Sequence, residues 1–175
     1  KKATHLNSDD SHLNYKIACT YMNEGNWESA IKKLEVALRI HRMQPEYNLA
    51  MGQCYLQLDK LDDAISSFGN VVRIRPKNIS GWTELLNSLY KAEMLEEAVE
   101  YAGFAFEQTE GKPIFLFYKS AFLYALGKSK EALLNLEAGM NRNPKLVKKF
   151  IQINPALLQI QQVVDIIARF KKRKT

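Results

Sequence analysis

Three histidines, two cysteines and the acidic pairs Asp62-Asp63 and Glu96-Glu97 are the residues of this 175-residue chain whose chemistry could matter most. A metal centre or an acid–base pair needs such groups at ligand or hydrogen-bond spacing. His5, His12 and His41 are scattered, and Cys19 and Cys54 form no CxxC. The chain has no HExxH, no GxSxG and no glycine loop to cradle a phosphate. Asp62-Asp63 and Glu96-Glu97 open segments with helical periodicity. Carboxylates there complement the positive end of the helix dipole, so their placement needs no catalytic role. The reading is a non-enzyme without cofactor or metal, its cysteines reduced thiols of a cytosolic-type, cytoplasmic environment.

Charge narrows the partners. Lys171, Lys172, Arg173 and Lys174 supply four of the six net positive charges, so basicity belongs mainly to one terminal run. Such a run can bind phosphates or an acidic surface, but the body lacks the basic stripe of a nucleic-acid interface. The longest apolar stretch, 114–126, is interrupted by Lys119 and is too short to span a bilayer.

The elements that must position any binding residues follow a repeat. Ala30, Ala64, Ala98 and Ala132 recur at one constant interval. Ile31, Ile65, Val99 and Leu133 follow them directly, and Ala37, Val71, Ala105 and Gly139 come two helical turns later. Ala18, Gly52, Leu86 and Ser120 precede the alanines in the same register, as do Tyr21, Tyr55, Leu89 and Leu123. Two helices of about 13 residues each, joined by tight turns, account for a period of about 34. The pattern predicts helices at roughly 11–24, 27–42, 45–58, 61–74, 79–92, 95–109, 113–126 and 129–142.

These columns resemble the tetratricopeptide repeat. Trp82 fills that family's Trp column, Met51-Gly52 its Leu-Gly pair, Tyr21 and Tyr55 its Tyr column, Phe68 its second-helix aromatic, and Pro76 and Pro144 its terminal proline. Arg42 and Glu110 stand in place of the proline, Leu86 in place of a small residue, and Lys119 where an apolar residue is expected. The resemblance implies an all-α, right-handed superhelical solenoid of antiparallel helix pairs, with four repeats at 11–44, 45–78, 79–112 and 113–146. Residues 1–10 read as the remnant of a preceding repeat, because Ala3 and Leu6 lie one period before Ala37 and Ile40, and the chain as a fragment of a longer array. After Pro144 the alanine register fails. Lys145 to Gln152 reads as a short helix and Ala156 to Phe170 as a final one, so that 147–175 forms a capping segment over Leu133, Leu136 and Met140, with a basic tail.

The resemblance further implies a concave face lined by first helices. The columns pointing into it would be Tyr15, Cys19, Met22 and Asn23; Leu49, Gln53, Leu56 and Gln57; Thr83, Asn87, Tyr90 and Lys91; and Phe117, Ala121, Tyr124 and Ala125. Phe117, Tyr90 and Tyr124 are expected to form an aromatic wall. One subclass of the family clamps C-terminal carboxylates with Lys, Asn and Arg. Here those positions hold Tyr15, Cys19, Ala50, Ser80 and Glu84, which argues against that ligand. The expected partner is a protein or peptide of apolar or mixed character, with no small-molecule substrate, membrane or nucleic acid. The alternatives are tethering of nucleic acid or an acidic surface by the basic tail, and a homodimer built on the last helix.

Overall fold

The computed structural model describes residues 8–172, with side chains from Asp10 onward. These residues contain helices and turns and no strand. The helices are α1 (Ser8–Asn23), α2 (Trp27–Ile40), α3 (Pro45–Gln57), α4 (Leu61–Ile74), α5 (Ile79–Lys91), α6 (Leu95–Gln108), α7 (Ile114–Ala125), α8 (Ser129–Arg142), α9 (Val147–Ile153) and α10 (Gln161–Lys172). Short 3-10 turns occupy Pro144–Leu146 and Pro155–Gln159. The described chain forms two compact units, divided within α5 between Ser88 and Leu89.

Local sequence explains the breaks. Gly25, Asp59, Glu93 and Gly127, each one period from the next, all have positive φ, between 56° and 75°. This left-handed residue reverses the chain between the two helices of a pair. Glycine adopts it without strain, whereas Asp59 and Glu93 do so against the clash of their Cβ atoms. Pro45 opens α3, where its missing N–H costs nothing. The Asn26 side chain caps α2 by accepting from the Ser29 N–H at 3.3 Å.

In the first unit α1 packs on α2, α2 on α3 and α3 on α4. Ala18, Ala30, Leu34, Ala37, Met51 and Cys54 build one continuous core there. Close approach is the organising device. A Cβ added to Gly52 would lie 2.5 Å from the Phe68 ring, and one added to Gly81 would lie 2.6 Å from Val71. Trp82 is anchored by its indole N–H, which donates to the Pro76 carbonyl at 2.7 Å.

In the second unit α7 packs between α6 and α8. Ser120 sits in the small column, fully buried, and donates to the Ala132 carbonyl at 2.7 Å. The departure at Lys119 is accommodated at the surface: its Nζ would lie 3.6 Å from a Cβ at Gly103.

Both ends differ from the sequence reading. Ser8 to Asp10, expected to finish an earlier helix, begin α1; residues 1–7 of that expected remnant lie outside the described residues. The final helix starts at Gln161, because Pro155 and the turn Pro155–Gln159 break the stretch expected to be helical from Ala156. The repeat's spacing nevertheless persists. Phe150, Leu157, Ile166 and Phe170 stand one period after Leu116, Leu123, Ala132 and Leu136, and all four are buried. The C-terminal segment is laid out like a fifth helix pair whose first helix has been shortened by proline.

Two glycine substitutions should move stability in opposite directions. Gly52→Ala drives a methyl into the Phe68 ring and is expected to destabilise by about 1–3 kcal/mol. Gly69→Ala adds a methyl with nothing within 4 Å in mid-helix, and is expected to stabilise by about 0.5–1 kcal/mol. Urea unfolding of both variants beside the parent measures the contrast.

Candidate functional site

The first-helix columns have different fates in the two units. In the first unit Tyr15, Cys19, Met22, Leu49, Gln53, Leu56, Thr83 and Asn87 are all half-buried, and Asn23 and Gln57 are exposed. Each half-buried side chain therefore has one side in the packing and one toward solvent. Tyr15 of α1 stacks on Tyr47 of α3 at 4.8 Å between ring centroids. Tyr47 in turn shares a 3.0 Å hydrogen bond with the Ser11 hydroxyl. This polar contact fixes the ring on which Tyr15 leans.

Burial acts on two ionisable groups here. Burial pushes the Tyr15 hydroxyl up to about 12, aided by a hydrogen bond with Cys19. Burial and the neighbouring Cys19 push the Cys54 thiol up to about 11. A thiol held protonated is a poor nucleophile, so Cys54 offers shape rather than reactivity. Both cysteines are unbridged. Among the described residues no group of His, Cys, Asp and Glu could hold a metal ion, and no helix is long and apolar enough to cross a membrane.

In the second unit the expectation of an open aromatic wall is corrected. Phe117 and Ala121 are fully buried. They belong to one cluster with Leu136, Met140, Phe150, Val163, Ile166, Ile167 and Phe170, with Leu133 and Tyr124 packed against it. Phe117 lies 6.3 Å from the Phe150 ring, and Gly139 leaves room for it: a Cβ there would come within 3.0 Å. The segment expected to cover α8 therefore covers α7 as well, because a half-exposed first helix is as costly as a half-exposed second one. Tyr90 is half-buried and stacks on Phe122 at 5.4 Å, and Lys91 and Ala125 are exposed. The eight first-unit residues are half-buried, whereas Phe117 and Ala121 are withdrawn into core.

Sequence reasoning missed the fifth set of columns that produces this closure. The signal was present in Phe150, which falls one period after Leu116 and two after Trp82.

Comparison with known proteins follows the same lines. Residues 45–78 match the family model of the tetratricopeptide repeat. No curated protein matches the sequence. Among solved structures, the chain is similar to MamA from Desulfovibrio magneticus RS-1, at 14% identity over 94% of each chain with a TM-score of 0.69. It is also similar to the first repeat domain of Spaghetti (RPAP3) bound to the HSP90 peptide SRMEEVD, at 16% identity over 71% of this chain and 99% of that one, with a TM-score of 0.61. A thermophilic repeat protein of Thermus thermophilus aligns at 15% identity over 93% of this chain and 90% of that one, with a TM-score of 0.58.

Tyr124 generates a prediction of its own. Its hydroxyl oxygen is buried without a hydrogen-bond partner among the protein atoms, and burial raises its pKa from 10.0 to about 12. The folded form therefore holds its proton more tightly than the unfolded form between those values. Its contribution is complete below pH 10 and is lost as pH rises toward 12. Tyr124→Phe removes an unsatisfied polar group and is expected to stabilise by up to about 1 kcal/mol at neutral pH. Thermal melts of the variant should also show a smaller loss of stability between pH 10 and 12 than the parent.

Proposed function

We propose that this chain, an all-α protein of tetratricopeptide-repeat fold, is a non-catalytic scaffold that holds a peptide segment of a partner protein against the first-helix columns of its first unit. The observation that carries this reading is the residue types: Tyr15, Cys19, Met22, Leu49, Gln53, Leu56, Thr83 and Asn87 include no Asp, Glu, Lys, Arg or His. Leu49, Leu56 and Met22 supply adaptable apolar area. Gln53 and Asn87 both donate and accept, so they can pair with an extended peptide backbone.

Such a lining fits an uncharged, apolar segment. The RPAP3 domain is bound to a peptide whose last residues are two glutamates, a valine and an aspartate. A carboxylate-rich end of that kind would meet Tyr15 and Cys19 here in place of a cationic clamp. Transferring a carboxylate to a half-buried, neutral stripe costs its hydration without an ion pair in return.

Selection of a random peptide library on the intact chain tests this reading, followed by calorimetric titration of the peptides recovered. The expected ligands are apolar and do not depend on a terminal carboxylate. Gln53→Ala with Leu56→Lys should weaken them by about tenfold or more while leaving far-UV helicity unchanged, because both side chains are only half-buried. Ligands that require an acidic terminus, or undiminished affinity in the double variant, would move the binding site elsewhere.

A further inference from the structure

The outward face of α6 departs from the other second helices where the repeat itself makes no demand. Glu97, Glu100, Tyr101, Phe104 and Glu107 are all exposed and recur every three or four residues, so they form one strip along the helix. Tyr101 and Phe104 meet edge to face at 6.1 Å and remain 38% and 44% exposed. The equivalent positions of the other repeats show how unusual this strip is. The positions of Tyr101 and Phe104 are held by Lys33 and Val36 in α2, by Ser67 and Asn70 in α4, and by Asn135 and Ala138 in α8. The positions of Glu100 and Glu107 are held by Lys32 and Arg39 in α2, by Ser66 and Arg73 in α4, and by Leu134 and Asn141 in α8. Helix pairing thus tolerates polar or cationic residues at these columns. Only α6 combines aromatics with carboxylates.

Exposed ring faces within an acidic border select cations. A guanidinium or ammonium over a ring is drawn by its quadrupole, and the neighbouring carboxylates add a direct ion pair. The aliphatic stems of Lys and Arg then cover the apolar ring edges. The same chain carries the complement: Lys171 and Lys172 are exposed at the end of α10, and Arg173 and Lys174 follow in sequence.

We infer that the α6 face of one copy receives the basic segment 171–174 of a second copy. The two surfaces in contact are different, so the association is heterologous and each added copy presents a further α6 face. Its strength depends on salt, because every ion pair involved is at the surface.

Sedimentation velocity of the whole chain tests the inference. At about 50 mM salt the mean mass should rise above 20.1 kDa as concentration increases from about 10 μM to about 1 mM, and it should return to 20.1 kDa at about 500 mM salt. Glu100→Lys with Glu107→Lys, and separately Lys171→Glu with Lys172→Glu, should each weaken self-association about tenfold or more with helicity intact. Mixing these two double variants should restore association, since each supplies the half that the other lacks. Tyr101→Ser with Phe104→Ser should weaken it even with all charges kept. A chain that stays at 20.1 kDa at low salt at every concentration overturns the inference. So does association indifferent to the α6 substitutions. Association sensitive to α6 but indifferent to the tail substitutions overturns the assignment of the occupant and points to another basic surface.

Discussion

How closely two helices can approach is decided by one atom at the key alanine column. Ala30, Ala64, Ala98 and Ala132 have no exposed surface at all. A methyl group fills the contact, and a larger side chain would force the helices apart at a site already at crystalline packing density. Gly52 beneath the Phe68 ring carries the same constraint to the point where even a Cβ is too much, and Gly139 beside Phe117 leaves a Cβ only a tight fit. Large residues then occupy the remaining hollows: Leu34, Phe68 and Leu136 are fully buried. The repeat is thus a rule about volume, with small residues where backbones meet and large ones where they diverge.

Breaking that rule accounts for the C-terminal segment. The column that holds alanine four times holds Ile166 next, and Pro155 falls inside what would have been a full first helix. The shortened α9 and the 3-10 turn after it let an isoleucine take the alanine's place with only 5% of its surface exposed. Phe150, Val163 and Phe170 supply the volume that the missing helical turns would have provided.

This is also why the sequence was legible in one part and opaque in another. The eight longer helices up to Arg142 could be read because small residues recur visibly at fixed spacing, and their ends could be read from Pro45, Pro144 and the turn glycines. The fifth set of columns could not be read from alanines, since its key position holds isoleucine. It is legible only through Phe150 and Leu157, whose types are ordinary for any core. The candidate site divided along the same line. Half-burial of Leu49, Gln53 and Leu56 follows from their position on a helix that packs on both sides. The burial of Phe117 and Ala121 follows from the segment beyond α8, whose packing periodicity alone does not reveal. The α6 face was visible only by comparing columns that the fold leaves free to vary.

The second unit has a consequence for synthesis. A chain is made from its N-terminus at about 5–20 residues per second, and pairs of helices can pack as they emerge. In the first unit α1 packs on α2, α2 on α3, and α3 on α4 and α1, all close in sequence, so these helices find cover soon after they are made. Phe117 is different: its cluster closes only when Phe170 has been made. At the quoted rate Phe117 waits roughly 3–10 s for Phe170, and Leu136 and Met140, made later, wait roughly 2–7 s. In that interval the unfinished second unit exposes apolar surface that the finished cluster buries.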